Sequence, residues 1–218
     1  MFETHPDSAS QSLFTGAGER KYLNARERKR FYKALSTLKV ASERTFCEAL
    51  FWTGCRPSEA LQLDYLRVNV EDAHLVFRTL KKHGANKGNH FRIVPIPRSF
   101  AKLLDKVHGV LKRQKSKHAD LLRRVWLFGR QKAWLLVKAV MEAAKIFGIR
   151  ACARGLRHSF GIHAILSRVP ETRLQSWMGH ASLRTTAIYV QAAGAEDRAF
   201  AKRMWTREQY AAQVFQSA

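Results

Sequence analysis

Between His74 and Ile96 the apolar residues of this chain stop recurring at helical spacing and begin to alternate. His74-Leu-Val-Phe-Arg-Thr-Leu80 and Phe91-Arg-Ile-Val-Pro-Ile96 place branched and aromatic residues at period two, which a pleated strand sends to one face and a helix scatters. The segment between them, Lys81-Lys-His-Gly-Ala-Asn-Lys-Gly-Asn-His90, is polar and carries two Gly and three Lys. Two strands joined by such a stretch make a hairpin with a long basic tip. A short strand around Tyr65 to Val70 would complete a three-stranded sheet. So small a sheet needs other elements packed against it.

Those elements read as helices. Asn24-Ala-Arg-Glu27 has the form of a capping box and predicts a helix over 25–38. A second stretch, 42–52, turns Phe46, Leu50 and Phe51 inward, and Thr53-Gly54 breaks it. Pro57 suits the first turn of a short helix through Leu63. Further helices are expected over 98–116, 131–146, 156–166, 171–177 and 183–190. In the second of these, Trp134, Val137, Met141 and Ala144 form a core stripe. An amphipathic helix is expected from Glu196 to about Phe215. The fold class is therefore mainly α with a small antiparallel β-sheet (α+β). The organisation reads as a flexible arm over 1–20, a domain over 21–193, and a terminal helix over 194–218.

Charge narrows the partners. The 218 residues hold 39 Lys plus Arg against 17 Asp plus Glu, a net charge of +22. Such an excess points to a polyanion, because each phosphate neutralised releases condensed counterions. No apolar run approaches the ~20 residues that span a bilayer, and Met1-Phe-Glu-Thr-His-Pro6 lacks the character of a signal peptide. Cys47, Cys55 and Cys152 show no CxxC spacing and read as buried thiols in a reducing compartment. His158 and His163 miss the i, i+4 spacing of a helical metal pair, and no carboxylate cluster stands out. Neither a metal nor a cofactor is expected.

Four segments supply phosphate-handling groups. Thr53-Gly-Cys-Arg-Pro-Ser-Glu59 sets Arg56 at a helix start, with Glu59 placed to orient its guanidinium. The hairpin tip offers Lys81, Lys82 and Lys87, any one of which could protonate a leaving oxygen. Arg154-Gly-Leu-Arg-His158 spaces Arg154 and Arg157 one helical turn apart. Gly179-His180 is followed nine residues on by Tyr189, a candidate nucleophile. Singly each residue has an ordinary reading, as a core tyrosine or a solvated arginine. Their order and spacing suggest phosphodiester chemistry.

Taken together, these blocks resemble the tyrosine recombinases, the phage-integrase-like site-specific recombinases. Thr53 to Glu59 matches T-G-x-R-x-x-E, and Lys87 to Pro95 resembles the K-G-N-x-x-R-x-V-P hairpin. Leu156-Arg-His158 matches L-R-H, and Met178-Gly-His180 with Tyr189 matches L-G-H…Y. The resemblance implies transesterification without metal or ATP. Tyr189 would attack a DNA phosphate and leave a 3′-phosphotyrosyl link. Arg56 and Arg157 would stabilise the phosphorane, Lys87 would protonate the 5′-oxygen, and His180 would assist. Lys81, Lys82 and His158 would contact DNA.

It further implies double-stranded DNA as partner, a homotetramer on that DNA, and an accessory DNA-bending or full-length recombinase protein. The 194–218 helix would dock on a neighbouring protomer through Phe200, Met204 and Trp205. The setting would be a bacterial cytoplasm, at the nucleoid. Two departures stand out. Where the family pattern reads H-x-x-R, this chain has Arg154, and a guanidinium with a pKa above about 12 cannot act as a base. The tyrosine's proton is thereby left to water, His158 or His180. Barely twenty residues precede the catalytic domain, where the family carries a helical clamp domain. These departures motivate an alternative, a catalytically weak or inactive DNA-binding relative that modulates a full-length recombinase. A type IB-like topoisomerase fits the T-G-x-R and L-R-H blocks less well.

Overall fold

A computed structural model describes residues 12–79, 90–116, 118–190 and 201–202. Helix α1, Ala25–Ala34, begins with the expected capping box: Asn24 Oδ1 accepts from the Glu27 amide at 2.8 Å, and Glu27 Oε2 accepts from the Asn24 amide at 2.9 Å. Two of the four unpaired amide groups at the helix start are satisfied in this way. Helix α2, Ala41–Thr53, buries Phe46, Leu50 and Phe51 and stops at Gly54, whose φ of 60° is left-handed. A side chain at Gly54 would also strike the Phe160 ring, with a Cβ only 2.5 Å away. Helix α3, Pro57–Ala60, follows with its proline in the first turn.

Strands β1 (Val68–Asn69), β2 (His74–Arg78) and β3 (Phe91–Pro95) form an antiparallel sheet in the order β1-β2-β3. The strand expected over 65–70 is shorter, because Asp64 caps a 3₁₀ turn at Tyr65–Arg67 by accepting from the Arg67 amide. On the inner face Leu75, Phe77 and Val94 are fully buried, and Arg92 pairs across from Phe77. Phe91 and Ile93 face outward and are exposed.

The remaining helices are α4 (Arg98–His108), α5 (Val110–Gln114), α6 (His118–Leu121), α7 (Arg130–Ala143), α8 (Ala153–Leu166), α9 (Glu171–Met178) and α10 (Leu183–Ala187). The single helix expected over 98–116 is split at Gly109, where φ is 62° and Asp105 accepts from the Leu111 amide. Helix α10 is shorter than the expected 183–190, so Tyr189 lies in the turn after it. On α7 and at its C-terminal cap, Val137, Met141 and Ala144 are buried, but Trp134 is 58% exposed. Its position is a correction to the core stripe. Trp134 falls at the edge of a face centred on Ala133, Leu136, Val137 and Val140, and it borders a cleft shared with Cys152. Cys47 and Cys55 are buried as expected, whereas Cys152 is half-buried.

The apolar interior divides in two. The larger cluster joins α1, α2, the sheet, α4 and α7. The smaller one gathers Leu13, Tyr22, Phe160, Ile162, Leu174, Met178 and Tyr189. Helix α8 belongs to both, through Leu156 and Phe160 respectively. Leu13 is 3% exposed and Phe14 packs beside it, so part of the stretch expected as an arm is anchored on the domain, while residues 16–19 are exposed. Arg28 of α1 ties the layers together: its guanidinium lies 3.9 Å from the Phe51 ring centroid and bonds the Phe51 carbonyl and the Ser159 hydroxyl.

The terminal helix expected over 196–215, with Phe200, Met204 and Trp205, lies outside the described residues, apart from helical backbone at 201–202. No described helix is long and apolar enough to cross a membrane.

Candidate active site

Four segments meet where α8 crosses from one apolar cluster to the other. The end of α2 brings Arg56, which caps α3. Glu59 closes that turn, accepting from the Arg56 amide at 2.8 Å and from Arg56 Nη1 at 2.9 Å. The same carboxylate takes Arg92 Nη2 from β3 at 2.6 Å. Arg92 in turn donates to the Thr79 hydroxyl and to the Trp177 carbonyl. Burial alone would raise the Glu59 carboxyl, but Arg92 and Arg56 outweigh it and hold it below the usual carboxylate range.

Helix α8 contributes Arg157, which is 8% exposed. It is gripped by main-chain carbonyls from two distant segments: Nη1 donates to Gly54 at 2.7 Å and Nη2 to Met178 at 2.6 Å. Burial, reinforced by Arg56, lowers its pKa to about 10, so the group stays charged at neutrality. Gly155 precedes it because a Cβ there would sit 2.0 Å from the Arg150 carbonyl oxygen.

The α9–α10 connection brings His180. Gly179, with φ 64°, ends α9 and lets Arg92 approach, since a Cβ would lie 3.1 Å from its guanidinium. His180 Nδ1 bonds the Thr186 hydroxyl at 3.0 Å. Burial, then Arg157 and Arg56, depress its pKa to about 3. Its ring lies nearly parallel to that of Tyr189, with centroids 6.1 Å apart.

Tyr189 is 1% exposed, and its hydroxyl lies 3.2 Å from His158 Nδ1. Burial raises the phenol to about 12, while the charges of Arg157 and Arg56 pull the other way. Burial, then Arg154, Arg157 and Lys21, lower His158 to about 4. Gly161 makes room for the phenol, since a Cβ there would meet the ring at 2.7 Å.

Arg56, Arg157, His158, His180 and Tyr189 therefore converge. Arg154 is exposed on the first turn of α8 and acts on the site through its charge on His158. Lys81, Lys82 and Lys87 lie outside the described residues. The described residues that flank them in sequence, Thr79 and His90, border a cleft of about 310 Å³ that also touches Arg92, Gln175, Gly179 and His180. Two further residues take part in the site, Arg92 and Thr186. Arg92 was visible as the R of the hairpin motif, and its partner Glu59 was the available signal. Thr186 had no signal. Among the described residues, no three His, Cys, Asp or Glu side chains gather as a metal-binding group.

The chain matches the Phage integrase family over residues 21–196. It is 35% identical over 167 residues to tyrosine recombinase XerD of Mycobacterium leprae, spanning 69% of this chain and 48% of the relative. To tyrosine recombinase XerA of Pyrococcus furiosus it is 28% identical over 176 residues, 78% of this chain and 57% of the relative. The chain thus spans about half the length of the curated relatives it matches.

Among solved structures, XerA recombinase superposes with a TM-score of 0.66 at 24% identity, over 86% of this chain and 64% of that one. The catalytic domain of bacteriophage HP1 integrase gives 0.58 at 19%, over 84% and 95%. XerH site-specific recombinase, bound to its difH substrate in a pre-cleavage complex, gives 0.64 at 23%, over 78% and 50%.

Proposed function

From the premise that this chain belongs to the phage integrase family, we propose that it is a site-specific DNA recombinase working through a covalent 3′-phosphotyrosyl intermediate. The observation that carries the reading is the placement of one phenol, Tyr189, against two neutral imidazoles and in the field of Arg56 and Arg157. A phosphate entering this site meets fixed positive charge where the pentacoordinate phosphorus gains its extra negative charge, and preorganised charge favours that state over the ground state. Arg157 is already immobilised by its two carbonyls, so little reorganisation accompanies binding.

In this mechanism the Tyr189 oxygen bonds to phosphorus and the bond to the 5′-oxygen breaks. That oxygen takes a proton from a general acid, for which we propose Lys87. His180 donates to a non-bridging oxygen from the ring nitrogen that Thr186 leaves available. The guanidiniums supply the charge neutralisation, and the phosphotyrosyl bond keeps the phosphodiester's energy for religation, so the scheme invokes neither metal nor ATP. Double-stranded DNA is the proposed substrate, with copies of the chain assembled as a tetramer on it.

The exposed Arg154 supports a second reading, a DNA-binding relative that has lost much of its activity and modulates a full-length recombinase. One experiment separates the two. Nicked duplexes from DNA flanking the source gene are incubated with the protein, and adducts are resolved under denaturing conditions. The recombinase reading expects a covalent adduct with the wild type and none with Tyr189→Phe. Binding without adduct selects the second reading, and adduct persisting in Tyr189→Phe removes Tyr189 as nucleophile. A 5′-phosphorothiolate leaving group, which needs little protonation, should rescue Lys87→Ala. Rescue of Lys82→Ala instead would move the acid to Lys82.

A further inference from the structure

We propose that His158 is the catalytic residue that takes the Tyr189 proton during attack, filling the role that Arg154 cannot. The inference rests on the recombinase reading above and adds a residue to its chemistry.

Geometry carries it. Nδ1 of His158 lies 3.2 Å from the Tyr189 hydroxyl, within reach of direct proton transfer. The other imidazole is differently engaged. His180 lays its ring along the phenol at an interplanar angle of 16° and commits Nδ1 to Thr186, whereas the His158 ring is tilted by 53° with a nitrogen on the hydroxyl. Arg154 sits one turn earlier on the same helix, exposed and permanently charged. It cannot accept a proton.

The groups acting on His158 tune it to the task. Arg154 and Arg157 come from its own helix, Lys21 from the segment before α1, and Tyr189 from the turn after α10. Burial acts most strongly and the three positive charges add to it, so the free imidazole is neutral and one ring nitrogen carries a lone pair. A bound phosphate offsets those charges. The proton affinity of His158 then rises at the moment the phenol must give its proton up.

The step balances. The Tyr189 O–P bond forms, the P–O5′ bond breaks, the phenolic proton moves to Nδ1 to give an imidazolium, and O5′ is protonated by the general acid. Religation runs the same transfers backwards. The scheme requires the tautomer with its proton on Nε2.

Two measurements test this. Imidazole ¹⁵N NMR of the free protein should show His158 with Nδ1 unprotonated, and Tyr189→Phe should move that resonance toward an unbonded acceptor. A proton on Nδ1 in the wild type overturns the proposal. In single-turnover cleavage of nicked duplex, His158→Ala should slow adduct formation by about 10²–10⁴-fold. Added imidazole should restore at least about tenfold, with a rate that follows its neutral fraction as pH rises. An unchanged rate, or a loss that imidazole does not relieve, overturns the role. A wild-type chain making no adduct on any duplex overturns the recombinase reading itself. Adduct formation with Nδ1 protonated overturns only the part given to His158.

Discussion

The two sides of the site hold their charges by different means. On the α3–β3 side, Arg56 and Arg92 share one carboxylate, Glu59, whose side chain is fully buried. On the α8–α10 side, Arg157 is bonded to main-chain carbonyls and its neighbours are two imidazoles and a phenol. The first arrangement is an ion network that supports itself. The second holds a buried cation beside a phenol that burial keeps neutral and two imidazoles that burial and nearby positive charge keep neutral, an arrangement that an incoming anion completes. Rigidity belongs to the first side and reactivity to the second.

The largest effect on stability is expected at Glu59. Glu59→Gln leaves Arg92, with its side chain 4% exposed, as a buried cation without a countercharge, and breaking a buried pair costs about 3–5 kcal/mol. Urea unfolding should show this loss. A loss below about 1 kcal/mol would mean that Arg92 relaxes to solvent, and that the first side is not the rigid one.

Arg157→Ala should rank next. It strands the Gly54 and Met178 carbonyls, at about 1–3 kcal/mol for each buried group left unpaired, but relieves the desolvation of the buried guanidinium itself, which offsets part of that loss. Adduct formation should fall by about 10²–10³-fold, as when one transition-state donor is removed. Equal stability losses in Arg157→Ala and Glu59→Gln would blur the division between the two sides.

Acid should open the two sides in different pH windows. Folded His158 and His180 protonate near about 4 and about 3, while an unfolded histidine does so near 6.5. Between these values the unfolded chain binds more protons, so stability is whole above about pH 6.5 and falls as pH drops. The slope is up to about 1.4 kcal/mol per pH unit for each imidazole. Glu59 is depressed, so its contribution is intact above the usual carboxylate pKa and is lost only as pH falls through its lower folded value. Denaturant midpoints from pH 7 to pH 3 should show the histidine slope first, and His158→Gln should flatten it.

Much of this site was legible because its residues sit at fixed offsets from helix ends that the sequence announces. Gly54 ends α2, Pro57 starts α3 and Gly179 ends α9, so Arg56 and His180 are placed by local rules. Arg92 was not legible in the same way. Alternation in Phe91-Arg-Ile-Val-Pro95 puts Arg92 and Val94 on one face and Phe91 and Ile93 on the other, and transfer energies alone would bury the aromatic face. Glu59, 33 residues earlier, reverses that choice by compensating the guanidinium. The break at Gly109 and the exposure of Trp134 were missed for a related reason. Periodicity reports which residues share a face, but neither where a left-handed glycine ends a helix nor how wide the buried stripe is.

Gly161→Ala is the smallest perturbation of the fold and the sharpest test of the division. Gly161 lies within α8, where alanine gains about 0.5–1 kcal/mol in helix propensity. Against this, the new Cβ would stand 2.7 Å from three atoms of the Tyr189 ring, a misfit worth about 1–3 kcal/mol if nothing moved. Tyr189 follows a five-residue helix and is bonded to the preceding turn through its amide, so the phenol can yield more readily than α8. The two terms nearly cancel, and the melting temperature should move by only a few degrees. The hydroxyl, however, is displaced from His158, and a shift of about 1 Å in a reacting atom costs about a hundredfold in rate. An adduct rate reduced on that scale with a melting temperature moved by no more than a few degrees would place reactivity on the α8–α10 side independently of stability. An unchanged rate would mean that the phenol attacks from a position other than the one it occupies against Gly161.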